Sequence, residues 1–346
     1  MSDSGTILTQ RPRRSARLDG ITRYVPIGVT VALLAVMYLG GLIAFPRFSS
    51  PQVIAGLFID NAALLIIAVG MTFVIVSGGI DLSVGSMMAF STMSIAWLTV
   101  DLGVPAPVAV AAVLAFGTFS GLLTGAVIHY FKVQPFIATL AGLFLYRGLT
   151  LQISDHDVSI REIAFFNWGM LRMDFAGGQR EGGFSLPNIS FIAFTIVIAA
   201  FIVLHYTRFG RSVYAVGGSE SSALLMGLPV ARTKVGVYAV SGFCAALGGV
   251  VAAYYTKSAN PLAGVGLELD AIAAVVIGGA LLTGGSGFVL GTVAGVMVMG
   301  LLSTLIAFQG DLSSWWARIV IGVLLLAFIL LQRLLGRSGE QHRVQE

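Results

Sequence analysis

Residues 26–45 read PIGVTVALLAVMYLGGLIAF, twenty positions without a charged side chain. A helix of that length rises about 30 Å, which is the thickness of the hydrocarbon core of a bilayer. Similar stretches recur along the 346-residue chain, of which 57% is hydrophobic and only 10% charged. Soluble domains carry about 25% charged residues, so this composition and a mean hydropathy of +0.92 indicate that the chain is solvated by lipid.

The fold class that follows is an all-α membrane protein with about ten transmembrane helices. The third and eighth predicted helices adjoin glycine pairs, so one or both are expected to be broken or re-entrant. Irregular backbone survives at membrane depth only where protein or a water-filled cavity satisfies its polar groups. The predicted spans are residues 26–45, 58–77, 82–100, 107–129, 135–153, 189–206, 236–256, 269–283, 288–308 and 317–332.

The basic residues predict the orientation of these helices. With the N-terminus inside the cell, thirteen Lys and Arg residues fall on the cytoplasmic side and six on the external side. This is the bias that the positive-inside rule describes, and it places both termini in the cytoplasm. The resulting organisation is a basic tail over residues 1–24, a polytopic transmembrane domain over 25–335 and a second tail over 336–346. The tail arginines are Arg11, Arg13, Arg14, Arg17 and Arg23.

The first apolar run is expected to remain attached to the chain. It is longer than the apolar core of a signal peptide and ends at Phe45-Pro46-Arg47, without a small-residue cleavage pattern.

Two connecting segments are long enough to do more than join helices. Residues 154–188 form an external loop, and residues 207–235 form a basic internal loop. Within the internal loop, the sequence GGSESSALLMGL over residues 217–228 predicts one short amphipathic helix that ends at Gly227 and Pro229. It is either a connector lying on anionic lipid or a docking helix for a cytoplasmic partner.

Two polar segments interrupt the apolar background. In SGGIDLSVGS, residues 77–86, Gly78 and Gly79 accept positive φ angles easily, and Asp81 or Ser83 can cap the following helix. In VGLELDAIA, residues 265–273, two acidic residues open a helix, where its positive end favours them. Local capping alone explains both patterns. The alternative is that both segments line a translocation pathway.

Of the charged residues within the predicted spans, Asp60 and Arg147 merit a functional interpretation, because a charge inside the membrane costs about 2.5–3.5 kcal/mol on insertion scales. They lie about 25 Å and about 18 Å from the inner ends of their helices. Our hypothesis is an ion pair that braces an external gate, next to Asn61; the alternative is that each side chain reaches the interface alone.

At the polar segments the sequence resembles a known family. AVGMTFVIVSGGIDLSVGS, residues 68–86, and ELDAIAAVVIGG, residues 268–279, resemble ribose-type sugar ABC transporter permeases, and the resemblance extends from the first span to the last. Within that family, LAGVG at residues 262–266 and LSSWW at residues 312–316 look most like one permease subunit of galactofuranose importers.

The resemblance implies a dimer of permease subunits, identical or different, on two ATP-binding subunits, with a periplasmic sugar-binding protein delivering the cargo. It also aligns part of the internal loop with the family's coupling helix, although Ser219 replaces the usual asparagine and Glu220 a small or neutral residue. The implied coupling residues are Gly218, Ser219, Glu220, Ser221, Ala223, Leu225 and Gly227.

The chain has no phosphate loop of the form Gly-x-x-x-x-Gly-Lys-Ser/Thr. We therefore expect a transporter subunit that is not an enzyme, binds no cofactor, metal or nucleic acid, and uses ATP hydrolysed by its partners.

The function predicted is the permease of a monosaccharide importer in the bacterial inner membrane, working by alternating access. The alternatives are an ion-coupled carrier and a permease for another solute such as branched-chain amino acids. The first is disfavoured because a proton relay usually needs a histidine or carboxylate at mid-membrane, and none is expected there. The expected pathway and gating residues are Asp60, Asn61, Gly78, Gly79, Asp81, Ser83, Arg147, Glu268 and Asp270.

Overall fold

A computed structural model of the chain describes residues 25–160, 163–176, 184–310, 313 and 315–344. The predicted tail 1–24 with its five arginines lies outside the described residues, and so do Arg161, Arg180, Leu312, Ser314 and residues 345–346.

The described part of the chain is almost entirely helical. The helices are α1 (Val25–Ala44), α2 (Pro51–Asp60), α3 (Ala62–Val76), α4 (Val84–Ala96), α5 (Ala106–Tyr130), α6 (Pro135–Ile153), α7 (Asn188–Tyr206), α8 (Arg208–Gly218), α9 (Glu220–Leu225), α10 (Val230–Thr256), α11 (Leu267–Ile277), α12 (Val289–Gln309) and α13 (Trp315–Val344). Four short strands, β1 (Val158–Ser159), β2 (Arg172–Ala176), β3 (Phe184–Pro187) and β4 (Ser258–Ala259), pair antiparallel as β1 with β4 and β2 with β3.

The helix lengths confirm a multi-pass membrane protein. Among the described residues, seven helices are long and apolar enough to cross a membrane, or eight if α2 and α3 count as one bent span. The third and eighth predicted spans are instead the short helices α4, with 13 residues, and α11, with 11. At about 1.5 Å per residue they are only about 20 Å and 17 Å long, and a π-helical segment, Trp97–Asp101, continues α4. The glycine pair 78–79 stands before α4 and the pair 278–279 follows α11, so both predicted spans are interrupted at glycine pairs.

The second span differs from its prediction. It was expected as one helix over residues 58–77, but α2 and α3 meet at Asn61 with a bend of 54°. The side-chain amide of Asn61 donates to the carbonyl of Leu57 at 2.9 Å, which satisfies an acceptor that the break would leave free.

The contacts between segments sort the helix ends into two groups. Strands β1 and β4, predicted to be external, pair with each other. On the opposite side, the amide of Gly285 donates to the carbonyl of Val76 at 2.8 Å, and Tyr214 Oη donates to the carbonyl of Gly287 at 2.6 Å. Gly285, Tyr214 and Gly287 were predicted to be cytoplasmic or at the cytoplasmic ends of helices, and Val76 to lie at the cytoplasmic end of its span. These contacts agree with the predicted grouping of helix ends, and the orientation of the chain stays a prediction.

Helix α10 is the central element, in contact with α3, α4 and α5. Its approach to α5 depends on the glycines spaced by four: a Cβ on Gly117 would lie 2.7 Å from the carbonyl oxygen of Gly242, and one on Gly121 would overlap the carbonyl of Tyr238. Small residues permit such close backbone contact in lipid. Gly295 serves the same purpose between α12 and α11, where a Cβ would overlap the carbonyl of Ala274.

Both long loops carry structure that the sequence did not predict in full. In the external loop, Phe165, Phe166 and Trp168 surround the ring of Tyr254 at centroid distances of 5.4–5.9 Å. In the internal loop, α9 is the predicted short helix, but α8 was missed and α10 begins at Val230, earlier than expected.

The α5–α10 contact generates a first prediction. Gly121→Ala should destabilise the protein by about 1–3 kcal/mol, since the new methyl group forces two backbones apart. Thermal denaturation in detergent, followed by the loss of monodisperse protein, measures this as a lower Tm. Gly148→Ala is the matched control, because a Cβ at Gly148 meets nothing within 4 Å. Equal Tm values for the two variants would contradict the packing role.

Candidate functional site

The segment between α3 and α4 is held by the side chain of Asp81. Its Oδ1 accepts from the Ser83 amide at 3.0 Å and from Ser83 Oγ at 2.6 Å, while its Oδ2 accepts from Ser241 Oγ of α10 at 2.7 Å. Asp81 is only 4% exposed. The carboxyl group thus holds the turn before α4 and fastens this non-helical backbone to α10. The prediction that Asp81 or Ser83 caps α4 is wrong, because neither side chain bonds a free N–H of the helix. Thr139 Oγ1 of α6 donates to the carbonyl of Ile80 at 3.3 Å.

Asp81 lies deeper than the sequence indicated. Its partner Ser241 is close to the middle of α10 (Val230–Thr256), about 16 Å along the helix from Val230. The segment therefore rises from the end of α3 into the protein interior before α4 begins. The prediction that no carboxylate lies at mid-membrane depth stays a prediction, since Ser241 stands five residues, or about 8 Å, inside the predicted span 236–256.

A second irregular segment, between β4 and α11, meets the start of α4. The backbones of Gly85 and Gly264 are in direct contact, and a Cβ on Gly264 would lie 2.6 Å from the carbonyl oxygen of Gly85. The carboxylate of Glu268 fills the space beside Gly85. The two predicted polar segments are therefore adjacent in space.

Arg147 and Asp60 do not form the ion pair that we expected. Arg147 Nη1 donates to the carbonyls of Pro261 and Ala263 at 2.7 and 3.0 Å, and its charge acts on Glu268. Asp60 accepts from Tyr255 Oη at 2.8 Å. The ion-pair prediction is wrong, because free carbonyls of the irregular segment satisfy the arginine. A gating role for either residue stays a prediction.

Asp270 belongs to another neighbourhood. It is partly buried on α11, where the charge of Arg318 acts on it. Arg318 itself lies 5.9 Å from the ring centroid of Trp315 on α13. The cation that acts on Asp270, Arg318, thus differs from the one that interacts with Glu268, Arg147.

At the cytoplasmic side, three backbones meet at glycines, and we call this contact the glycine junction. It comprises Gly217 of α8, the end of α3 at Val76 and the turn at Gly284 and Gly285. A Cβ on Gly217 would overlap the carbonyl of Val76, and a Cβ on Gly284 would lie 2.7 Å from the carbonyl oxygen of Gly217. Gly78 also contacts Gly284. Movement of α8 must therefore move α3 and the α11–α12 turn.

The predicted coupling helix is the six-residue α9, whose N-terminus Ser219 caps by accepting from the Ser222 amide at 3.2 Å. Ala223 is fully buried and packs with Val216 and Val230, whereas Leu225 is 90% exposed. Gly227 ends the segment with φ of 73°. The helix thus rests on α8 and α10 by one face and presents leucine to solvent on the other. Leu224 and Met226 are exposed as well.

An ion pair joins α9 to the first turns of α10. Lys234 Nζ lies 2.6 Å from Glu220 Oε2, and this hydrogen bond is the main reason that the pKa of Glu220 lies below its usual value, with smaller contributions from the charges of Lys132 and His129. The pair is partly exposed, so it stabilises the contact only modestly. That contribution is present above the ordinary pKa of a glutamate and is lost as the pH falls through the lowered value.

The residues that sequence reasoning missed are those contributed by α10 and by the turn at residues 283–285. Ser241 and Tyr238 gave no signal, because serine and tyrosine inside an apolar run are common in packed helices. The turn could have been found, since Thr283-Gly284-Gly285 repeats the pattern of Ser77-Gly78-Gly79. Within the described ranges, no group of three or more His, Cys, Asp or Glu residues could hold a metal ion.

Comparisons with known proteins identify relatives along nearly the whole chain. Residues 53–329 match the family model described as branched-chain amino acid transport system / permease component. The inner membrane ABC transporter permease protein YjfF of Escherichia coli K12 is 44% identical over 90% of this chain and 93% of its own length. The fructose import permease protein FruG of Bifidobacterium longum is 40% identical over 95% of this chain and 96% of its own length. The ribose import permease protein RbsC of E. coli K12 is 38% identical over 87% of this chain and 91% of its own length. No solved structure matches the chain.

The bonds of Asp81 generate a second prediction. Asp81→Asn should destabilise the protein by about 2–3 kcal/mol, because the amide NH2 leaves one of the donors on Ser83 or Ser241 without an acceptor. The measurement is again the Tm in detergent. Asp157→Asn, an exposed position in the external loop, is the control and should melt like the unchanged protein. An Asp81→Asn protein that also does so would show that the carboxyl is dispensable for the fold.

Proposed function

Because this chain belongs to the family of permease components described above, we propose that it is the membrane-spanning subunit through which a binding-protein-dependent ABC importer carries a monosaccharide. As an ABC transporter permease it is a multi-pass protein of the inner membrane. It is not itself catalytic and binds no cofactor, since a partner ATPase uses the ATP. The observation that carries the proposal is the 44% identity to an ABC permease over 90% of the chain.

The monosaccharide is supported by the relatives. Their names specify ribose, fructose and xylose, whereas the family description mentions branched-chain amino acids. A sugar is therefore favoured over an amino acid. Within the sugars, we propose galactofuranose as the first candidate, on the resemblance of residues 262–266 and 312–316 to galactofuranose permeases. The relatives named above do not specify it, so other pentoses and hexoses are tested beside it.

The partners that we propose are an ATP-binding subunit on the cytoplasmic side, a second permease subunit and a periplasmic sugar-binding protein. The exposed leucines of α9 supply an apolar docking surface for the ATPase, since an apolar patch this exposed on a cytoplasmic loop suits burial against protein. Force applied to α9 reaches α3 and the α11–α12 turn through the glycine junction. The buried face of α9 at Ala223 makes that transmission rigid.

The pathway that we propose runs along the irregular segments at Gly78–Ser83 and Glu268. Backbone that is not helical at membrane depth is tolerated where it lines a cavity or is buried in protein. Alternating access would open this region first to the periplasm and then to the cytoplasm. Arg147, bonded to the carbonyls of Pro261 and Ala263, would hold the external part of the segment in place.

Uptake by reconstituted proteoliposomes tests the function. The permease, its genomically adjacent ATPase and binding protein, and radiolabelled galactose, ribose, xylose and fructose are the components. We expect one sugar to accumulate only when ATP is enclosed with the ATPase and the binding protein is outside, and a protonophore to have no effect. Uptake that survives loss of the ATPase but collapses with the proton gradient would show an ion-coupled carrier instead. A chain that accumulates only leucine or valine would refute the sugar assignment.

Docking through α9 generates a third prediction. Leu225→Asp should reduce co-purification of the ATPase at least about tenfold, because a carboxylate would be buried in an apolar interface. Leu171→Asp is the matched control: this leucine is also exposed, at 58%, but lies in the external loop. Both variants should keep the Tm of the unchanged permease. Equal co-purification with both variants would rule out α9 as the docking helix.

A further inference from the structure

A cleft of about 280 Å³ opens at the cytoplasmic side, directly against the glycine junction. Its walls come from six parts of the chain: the end of α3 with Ser77–Gly79, the internal loop with Val216, Gly217 and Glu220, the start of α10 with Lys234 and Tyr238, the turn at Thr283, α5 with Ile128 and α6 with Pro135. A molecule that fills the cleft therefore contacts α3, α8 and the turn of the glycine junction together.

Tyr238 points to a ligand in this cleft. The side chain is only 2% exposed, and its hydroxyl has no hydrogen-bond partner among the described residues. A buried hydroxyl without a partner costs free energy that a bound group can recover. The hydroxyl lies against Gly79, where any Cβ would overlap it. The absence of a side chain at Gly79 therefore leaves room for the Tyr238 hydroxyl at the edge of the cleft.

The remaining groups define the chemical class of the ligand. Glu220 and Lys234, the two charged residues among those that line the cleft, lie 2.6 Å apart and neutralise each other, so the lining itself carries no net charge. An apolar molecule would leave Tyr238 unsatisfied. Hydroxyl groups both donate and accept, and a ring with several of them can meet Tyr238, the outer carboxylate oxygen of Glu220 and Thr283, while its carbon face lies on Ile128 and Val216.

We propose that this cleft binds the imported monosaccharide from the cytoplasmic side, so that accumulated product slows further import. The inference rests on the proposed function for the identity of the sugar. The mechanism follows from the walls: a sugar that bridges α3, α8, α10 and the turn at Thr283 stabilises their present arrangement. The free energy of binding must then be overcome whenever the junction rearranges. The ATPase consequently turns over less often when the cytoplasm is full of sugar.

Two measurements test the proposal. In the first, the permease–ATPase complex in detergent, without the binding protein, is titrated with galactose, ribose, xylose and fructose by calorimetry. In the second, proteoliposomes preloaded with the same sugars are compared with unloaded ones for the initial rate of uptake. We expect at least one of the sugars to bind at millimolar concentration and the same sugar inside the vesicle to slow uptake.

Tyr238→Phe removes one hydroxyl and should raise the internal concentration for half-inhibition about two- to tenfold, the range expected for one hydrogen bond. For each variant, the initial uptake rate of preloaded vesicles is divided by that of unloaded vesicles, and these ratios are compared. A variant that changes only the rate of unloaded vesicles therefore does not affect the result. Thr283→Val, at the exposed rim of the cleft, should also raise the internal sugar concentration for half-inhibition. Tyr254→Phe is the control on the same helix, since Tyr254 lies at the other end of α10 and packs against Phe166 of the external loop.

The inference is overturned if none of the sugars binds the complex, or if Tyr238→Phe and Thr283→Val both respond to internal sugar like Tyr254→Phe. The inference is also overturned if side chains of the ATPase fill the cleft in the complex and no sugar binds. Failure of the proposed function looks different, because then no sugar is taken up at all, while the titration in detergent still decides whether the cleft binds one.

Discussion

Backbone that leaves the helical path inside a bilayer must find all its hydrogen-bond partners within the protein, and the rest of this structure depends on that constraint. Asp81 meets it for the segment before α4, by accepting from Ser83 and from Ser241 of α10. Arg147 meets it on the outer side by donating to carbonyls of Pro261 and Ala263. The two charged side chains are thus retained in an apolar environment because irregular backbone surrounds them.

A consequence is that the irregular segments cannot move independently. The first touches the second at Gly85 and Gly264 and touches the α11–α12 turn at Gly78 and Gly284. Ser241 joins helix α10 to the segment before α4 through its hydrogen bond to Asp81. Displacement of α8 at Gly217 is therefore transmitted by direct backbone contact, with no flexible side chain to absorb it.

The sequence predicted the membrane class and the approximate span positions, because apolar length is summed over many residues. It also located the short helix α9 and the two interrupted regions through Gly227, Pro229 and the glycine pairs. It could not predict which charges pair. Asp60 and Arg147 are similar in depth, yet Tyr255 and two carbonyls satisfy them. The position of a residue along a helix fixes neither the direction in which its side chain points nor its neighbours. The depth of Asp81 was missed because the irregular segment 79–83 has no periodic signature.

The exposed leucines of α9 also affect how the cell must make this protein. A subunit synthesised without its ATPase would display Leu224, Leu225 and Met226 to the cytosol, where apolar patches attract chaperones and proteases. The steady-state amount of the permease should then follow the amount of ATPase, whatever the transcript levels. The docking surface would act as its own quality-control signal, and matched synthesis of the two subunits would be favoured by selection.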